Sequence, residues 1–418
     1  MTSGALAVIA AVVVAWGALS ARFERAHVTA PIAFVCVGVL LGILFGLGWN
    51  GQPAGVTVLT EVTLVWVLFS DAARIGLREV RTDAGVYGRL LGLALPLTVV
   101  AGSVGAWWVL GTPVPWLALL IGAALAPTDA ALGAVVITHP AVPVRIRRIL
   151  NVESGLNDGI VTPVVLVALA GAASVEGRAG PGMLGAILQL AGGAVLGAAV
   201  GATGGWLLRV ADRRGWTDGG FAGPAVLALA LLAYTGSVTA HGNGFVAAFA
   251  AGIAFGHVAG RGGPAEVFYV EQTAGLASLL VWTLFGAAAV PLLAGHLDWW
   301  MVLYAVLSLT VMRMMPVGLS LVGAGFNVRT ALFLGWFGPR GLASVVFALL
   351  AVEQLGAGAE PAVAVIVFTV LLSVVAHGLT AGPLAVRYGR REAPDTAGAH
   401  EPAPAARLAW STGDRRSP

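Results

Sequence analysis

Thirteen long apolar segments, separated by short polar connections, constrain the fold of this chain more than any other feature. Numbered as spans 1 to 13, they lie at about residues 4–19, 30–48, 56–73, 88–110, 116–138, 150–174, 183–208, 222–238, 243–259, 274–294, 299–322, 330–352 and 360–384. An α-helix needs about 20 apolar residues to cross a bilayer. Because lipid offers no hydrogen-bond partners, a crossing segment must satisfy its backbone internally, as a helix does. The sequence therefore predicts an all-α polytopic membrane protein with about 13 transmembrane helices.

The composition excludes several other classes of protein. Of the 418 residues, 58% are hydrophobic and 10% are charged, whereas soluble domains carry about 25% charged residues. The single cysteine, Cys36, lies inside an apolar span, so no disulfide framework is expected. The chain contains no lysine and therefore no phosphate-binding GK[ST] loop, which excludes a Walker-type nucleotide site. We expect neither an enzyme, nor a bound cofactor, nor a nucleic-acid partner.

The distribution of arginines predicts the orientation in the membrane. Seventeen arginines fall on connections that would share one side, against Arg178 alone on the other side. The positive-inside rule then places the carboxyl terminus in the cytoplasm and the amino terminus outside. Arg22 and Arg25 follow the first apolar run rather than precede it, so we expect an uncleaved first span. We predict a membrane domain at 1–386 and a short disordered cytoplasmic tail at 387–418.

Two spans contain helix-breaking residues beside a charge near their middle. Span 5 reads LLIGAALAPTDAALGAVVI, with Pro127 before Asp129, and span 12 reads ALFLGWFGPRGLASVVFALL, with Pro339 before Arg340. A proline frees a carbonyl one turn earlier, and a break there would leave main-chain oxygens that can bind a cation. The spans lie seven apart and so run in opposite directions, which predicts inverted repeats of spans 1–6 and 8–13 around a linker span 7. The alternative is two ordinary proline kinks with snorkelling charges.

Charged side chains within spans mark a candidate pathway. Each costs at least about 2.5–3.5 kcal/mol near the bilayer centre, so such residues tend to face a cavity or a partner. Five residues meet this description: Asp71, Asp129, Glu153, Asp158 and Arg340. Glu61 and Arg313 lie nearer the ends of their spans, where we expect snorkelling.

The stretch ESGLND at 153–158 opens span 6 and carries most of the candidate chemistry. On a helix, Glu153 and Asn157 share one face while Ser154 and Asp158 share the adjacent face. Ser154 and Asp158 can therefore converge on one bound ion. Oxygen donors of this kind suit a small alkali cation, and the lack of a Cys or His cluster disfavours a transition metal. A buried Asp158 would also bind a proton, so a proton and a cation would compete for one site.

The motifs APTDA in span 5, ESGLND in span 6 and GPRG in span 12 resemble those of cation:proton antiporters of the NhaP/sodium–proton exchanger type. The sequences LFSDAARIGL around the end of span 3 and RMMPV in span 11 belong to the same pattern. The similarity follows the order of the spans to about residue 386. The resemblance implies a 13-span antiporter fold, with a core domain that moves against a dimerisation domain. It also implies a homodimer in the bacterial cytoplasmic membrane.

By position, the resemblance assigns a role to each candidate site residue. Asp158 would carry the cation and the proton, beside the amide of Asn157. Ser154 and the carbonyl of Thr128 would be further contacts to the alkali cation, and Asp129 would lie in the crossing region.

The resemblance also implies a structural ion pair between Glu153 and Arg340, and an additional acidic cation contact at Asp71. The chain departs from the family at Ala130, where a proline usually follows the aspartate, and at Ser70, where an acid is common. An asparagine before Asp158 looks like the electroneutral, one-for-one class.

Three readings of function remain at this stage. The first is antiport of Na+ against H+, with Li+ or K+ as other cations and a K+/H+ antiporter of the same fold as its variant. The second is a cation channel lined by Asp129 and Asp158, although no TVGYG-like filter is present. The third is a receptor or anchor with a vestigial transporter fold, which would not explain Glu153, Asp158 and Arg340.

Overall fold

A computed structural model describes residues 3–25, 28–45, 54–75, 81–175, 177, 182–217, 219–259 and 263–392. Across these ranges all regular structure is helical, which confirms the predicted all-α class. The last helix runs to Glu392, beyond the predicted boundary at 386. The rest of the predicted tail, 393–418, lies outside the described residues.

The first half of the chain forms eight α-helices and one π-helical segment among the described residues. They are α1 (Ser3–Arg25), α2 (Ala30–Phe45), α3 (Ala54–Ala73), α4 (Ala84–Arg89), the π-helical segment Leu90–Ala94, α5 (Leu95–Val109), α6 (Pro115–Ala124), α7 (Ala134–Thr138) and α8 (Val144–Val175).

The second half contributes nine more α-helices within the described ranges. They are α9 (Gly182–Arg213), α10 (Gly219–Thr239), α11 (Gly244–Val258), α12 (Gly263–Ala294), α13 (Trp299–Leu309), α14 (Val311–Ser320), α15 (Val328–Trp336), α16 (Leu342–Leu355) and, after a 3₁₀ turn, α17 (Glu360–Glu392).

Each of the predicted spans coincides with a helix or with a broken pair of helices. Within the described residues, eight helical stretches are long and apolar enough to cross a membrane, and four shorter apolar helices accompany them. The chain is therefore a multi-pass membrane protein, and the count of 13 crossings stays a prediction.

Both predicted interruptions are present. In span 5, α6 ends at Ala124 and regular helix resumes only at Ala134. In span 12, α15 ends at Trp336 and α16 begins at Leu342. Proline lacks a backbone donor, and glycine lowers helix stability by about 1 kcal/mol relative to alanine, which explains why the breaks fall at these positions.

The long helix α8 brings the ESGLND stretch into the interior of the bundle. It contacts α3, α6, α9, α11 and α16. Glu153, Ser154, Asn157 and Asp158 are all buried. The helix begins at Val144, before the apolar segment, so that its first turns carry arginines and its middle carries the candidate site.

Small residues allow α9 and α11 to pack in backbone contact. A Cβ atom at Gly193, Gly197 or Gly201 would overlap the backbone of α11 or of the residue before it. Such close approach is how membrane helices gain packing energy without a hydrophobic driving force between them. The glycines of α9 therefore have a structural role.

Candidate ion-binding site

The two broken helices meet at their interruptions. The backbone N–H of Asp129 donates to the carbonyl of Pro339 at 2.9 Å, which joins one break to the other. The hydroxyl of Ser344 donates to the carbonyl of Ala124 at 2.6 Å, at the end of α6. Backbone groups that the breaks leave without helical partners are thus satisfied by the opposite break, as a protein interior within a membrane requires.

Asp129 binds the turn that follows it and the first residue of α16 through its carboxylate. Its Oδ1 accepts from the N–H groups of Ala131 at 2.7 Å and Leu132 at 3.0 Å, and its Oδ2 accepts from Leu342 N–H at 2.9 Å. A carboxylate at this place favourably opposes the positive end of the helix dipole of α16. Both oxygens of Asp129, which the resemblance assigns to the crossing region, are therefore occupied by backbone donors.

Arg340 complements this arrangement at the carboxyl-terminal end of α6. Its Nη1 donates to the carbonyls of Ala126 at 2.8 Å and Pro127 at 3.3 Å, and the residue is fully buried. A cation here opposes the negative end of the α6 dipole. These two freed carbonyls are therefore bound by a guanidinium. The carbonyl of Thr128 accepts no hydrogen bond from any described residue.

The predicted ion pair between Glu153 and Arg340 is wrong as a direct contact. Glu153 Oε1 instead accepts from Nη2 of Arg313 at 2.6 Å, and both side chains are at most 2% exposed. Arg340 lies close enough for its charge to act on Glu153, but its guanidinium is held by the carbonyls of the other break.

Snorkelling of Arg313, expected from the sequence, is also wrong. Span 11 breaks at Thr310, whose backbone leaves the helical region with φ −109° and ψ −92°. Arg313, three residues after this interruption, is 1% exposed. The RMMPV motif, which contains Arg313, indicated that this arginine belongs to the family pattern. The motif alone did not identify Glu153 as the partner of Arg313.

Three of the predicted site residues form one hydrogen-bonded group. The hydroxyls of Thr128 and Ser154 lie 2.9 Å apart, and Asn157 Nδ2 donates to Thr128 Oγ1 at 2.7 Å. The Oδ1 of Asn157 is buried and has no hydrogen-bond partner among the described residues. Span 5 and span 6 are thus joined at the residues whose oxygens could contact a cation.

Asp158 lies next to this group on α8. The residue is 8% exposed, and no described residue donates a hydrogen bond to its carboxylate. Glu61, in contrast, accepts from the hydroxyl of Tyr234 at 3.2 Å, away from the site. A buried carboxylate with no internal donor needs an external positive charge, and either a proton or a cation supplies one.

Asp71 approaches the site from α3. Its Cβ lies 3.7 Å from the position that a Cβ atom of Gly155 would occupy, so the small residue in ESGLND allows α3 to come close to α8. The carboxylates of Asp71 and Asp158 and the hydroxyls of Thr128 and Ser154 are oxygen donors of the kind that suits a hard cation such as an alkali ion.

Two broken helices that cross beside a buried carboxylate define the chain as a secondary cation carrier. The comparison with protein families is specific: the transmembrane profile of the sodium/hydrogen exchangers matches residues 8–387, and the chain belongs to that family. The expected resemblance to cation:proton antiporters is confirmed.

Curated relatives and solved structures agree with this assignment. The chain is 26% identical over 397 residues to the K(+)/H(+) antiporter NhaP of Alkalimonas amylolytica, covering 92% of this chain and 67% of the relative. It is 25% identical over 387 residues to the K(+)/H(+) antiporter NhaP2 of Shewanella oneidensis, covering 86% and 62%. The chain thus spans about two thirds of the length of these relatives. The fold is similar to that of the sodium proton antiporter MjNhaP1 from Methanocaldococcus jannaschii, with a TM-score of 0.72, 20% identity, and 92% and 98% coverage.

Proposed function

We propose that the chain exchanges a monovalent cation for protons across the membrane, and that both compete for the carboxylate of Asp158. One observation carries the proposal. Asp158 is buried, no described residue donates to its carboxylate, and Ser154, one turn earlier on the same helix, lies 2.9 Å from the hydroxyl of Thr128. A site of this kind is stable when the carboxylate is neutralised and unstable when it is bare.

Alternating access converts this competition into antiport. A rearrangement that turns the site from one side of the membrane to the other moves Asp158 with either a cation or a proton bound. The empty, ionised site rarely makes the transition because carrying a bare charge through a low-dielectric barrier is costly. Each outward passage with one ion is then followed by an inward passage with the other.

The remaining charged residues hold the moving parts together. The contacts of Asp129 and Arg340 keep the two broken helices joined, and the pair of Glu153 with Arg313 fixes α8 to α14. In this proposal the cation contacts are Asp158, Ser154 and the carbonyl of Thr128, with Asn157 as a neighbour and Asp71 as an additional acidic group.

We propose one-for-one, electroneutral exchange. The residue before Asp158 is Asn157, whose amide carries no titrating charge, and both oxygens of Asp129 are bound by backbone N–H groups. Asp158 is then the group that gains or loses one positive charge in each half of the cycle.

Sodium is the first candidate for the cation, because carboxylate, hydroxyl and carbonyl oxygens suit a small, hard cation. Potassium is the second candidate. It is favoured by the names of the curated relatives from Alkalimonas amylolytica and Shewanella oneidensis, which are K(+)/H(+) antiporters.

The proposal includes the setting of the transporter. We expect a homodimer in the bacterial cytoplasmic membrane, with the amino terminus outside and the arginine-rich connections inside. We also expect a core domain, which contains the crossing spans, to move against a dimerisation domain.

The test is cation-driven proton movement in proteoliposomes that contain a trapped pH dye. Wild type should dissipate an imposed pH gradient on addition of sodium or potassium, and Asp158→Asn should not. Asp212→Asn is the matched control, because Asp212 is exposed at the end of α9. Clamping the membrane potential should leave the rate unchanged if the exchange is electroneutral. Equal rates in wild type and Asp158→Asn would exclude Asp158 as the exchange site.

A further inference from the structure

A cavity of about 330 Å³ opens between α15 and α17, away from the candidate ion site. Its walls are mostly apolar and come from residues such as Leu332, Phe333, Trp336, Phe337 and Leu384. Arg329, Arg387 and Arg391 also line it. The cavity therefore combines an apolar interior with concentrated positive charge.

The inner wall of the cavity is held in place by aromatic packing. The ring of Phe333 stacks on Tyr388 with centroids 4.1 Å apart and planes at 18°, and it also packs against Phe337 at 4.6 Å. The hydroxyl of Tyr388 lies 2.9 Å from that of Thr330, which joins α17 to α15. The wall is therefore preformed, as small-molecule sites usually are.

The three arginines lining the cavity differ from the other arginine clusters in their charge environment. All three are exposed, and none lies within ion-pair distance of an acidic side chain in the part of the chain that the structure describes. Arg145 and Arg148, by comparison, share the carboxylate of Asp83. Uncompensated guanidinium groups beside an apolar cavity are complementary to a ligand with an anionic head and an apolar body.

The position of the cavity favours a lipid as that ligand. Arg329 lies in the first turn of α15, and Arg387 and Arg391 lie in the last turns of α17. The positive charges of the cavity therefore lie at the termini of these apolar helices. Arginines at the ends of membrane helices are expected at the level of the headgroups, and the apolar lining residues Leu332 and Leu384 lie on the membrane side of Arg329 and Arg387 along their helices. Leu332, which is 52% exposed, extends the apolar wall outward.

We propose that this cavity, the α15–α17 cavity, binds one membrane phospholipid with an anionic headgroup. The phosphate contacts Arg329, Arg387 and Arg391, and the beginning of an acyl chain lies against Trp336 and Leu384. A soluble phosphate would leave this apolar wall in water. The chain's own segment 393–418 is not complementary in charge, because it contains three acidic residues and three arginines.

The test measures the lipid retained by the purified full chain. Protein is exchanged into nanodiscs of phosphatidylcholine with a minor fraction of phosphatidylglycerol, re-extracted, and its bound lipid is counted by native mass spectrometry. The variant is Arg329→Gln/Arg387→Gln/Arg391→Gln. The matched control is Arg209→Gln/Arg213→Gln/Arg214→Gln, three arginines at and just beyond the carboxyl-terminal end of α9 that do not line the cavity.

We expect wild type and the control to retain one phosphatidylglycerol and to discriminate against phosphatidylcholine. The triple variant should lose affinity for phosphatidylglycerol about a hundredfold, since each arginine near the surface contributes about fivefold. Leu384→Trp, which fills the cavity and keeps all three arginines, should also lose the lipid. Equal retention in wild type, the triple variant and Leu384→Trp would overturn the proposal.

Two further results would assign the cavity to another occupant. Displacement of the lipid by excess inorganic phosphate, together with unchanged retention in Leu384→Trp, would identify a free-anion site and overturn the proposal. Absence of bound lipid in the full chain, with lipid appearing once residues 393–418 are deleted, would identify the chain's own segment as the occupant. Retention that persists under excess phosphate in both the full and the shortened chain would support the lipid.

Discussion

Glu153 and Arg313 form an ion pair of 2.6 Å in which both side chains are at most 2% exposed. The pair joins α8, which carries Asp158, to α14, which follows the break at Thr310. Removing one partner from a buried pair leaves an uncompensated charge in a low dielectric, whereas exposed pairs contribute little.

Arg313→Met should therefore destabilise the protein by about 3–5 kcal/mol, measured by denaturation in detergent. The double variant Arg313→Met/Glu153→Gln should recover much of this loss, because no buried charge is left alone. Arg74→Met is the control, since its partner Glu271 forms a largely exposed pair, and its loss should cost at most about 1 kcal/mol. An equal loss of stability in Arg313→Met and Arg74→Met would contradict the claim that the buried pair of Glu153 and Arg313 contributes more to stability than an exposed pair.

Gly341→Ala should disturb the junction of the two breaks. A Cβ atom at this position would overlap the carboxylate of Asp129, which caps α16 through Leu342 N–H. We expect a lower thermal midpoint and a loss of transport. Gly275→Ala is the control, because a Cβ there meets no atom within 4 Å and helix propensity alone should stabilise the protein by up to about 1 kcal/mol. Normal transport and stability of Gly341→Ala would show that the cap is dispensable.

Thr128→Val should weaken cation binding. It removes the hydroxyl that contacts Ser154 and accepts from Asn157, and leaves a buried amide donor without a partner. The apparent affinity for the cation should fall about tenfold, as expected for the loss of a buried hydrogen bond. Thr128→Ser should retain most of the affinity. Thr369→Val is the control, because its buried hydroxyl donates within its own helix, to the carbonyl of Val365. The apparent cation affinity of all three variants is measured from the cation dependence of exchange in proteoliposomes. An unchanged affinity in Thr128→Val would exclude the hydroxyl of Thr128 from the cation site.

Asp83 should contribute to stability in a pH-dependent way. Burial by itself would raise the pKa of Asp83, but hydrogen bonds and charges from Arg148 and Arg145 outweigh it, so that the pKa is lowered. A carboxyl whose folded pKa lies below its unfolded value stabilises the protein above the unfolded pKa, which is about 3.9 for Asp.

This contribution is lost as the pH falls through the lowered pKa of Asp83. The midpoint of thermal unfolding should therefore fall more steeply below about pH 4 in wild type than in Asp83→Asn. At neutral pH, Asp83→Asn should be the less stable of the two. Parallel curves for the two proteins from neutral pH downward would mean that the contact between Asp83 and the two arginines contributes no stability.

Local signals in the sequence were sufficient for most helices and for the breaks in spans 5 and 12, but not for the break at Thr310. Apolar length predicted where helices lie, and proline, glycine and a charge within one span predicted the interruptions at Asp129 and Arg340. The π-helical segment Leu90–Ala94 has no such local signal, because a π turn depends on how the helix packs against its neighbours.

The pairing of charges could not be predicted from the same signals. Glu153 lies near both Arg313 and Arg340, and its partner depends on which guanidinium is already bound elsewhere. Arg340 is held by the carbonyls of Ala126 and Pro127, which only the crossing of two distant spans brings within reach. Likewise, the sequence placed Thr128, Ser154 and Asn157 in the site, but the hydrogen bonds that join them arise from the tertiary fold.

The most direct test of the account is the number of protons released when a cation binds. Purified protein in weakly buffered detergent solution receives sodium or potassium while heat and pH are recorded together. If the cation and the proton compete for Asp158, wild type should release protons on binding, with the apparent affinity rising as pH rises, and Asp158→Asn should release none. Cation binding without proton release in wild type, or equal release by Asp158→Asn, would contradict the claim that one carboxylate carries both ions.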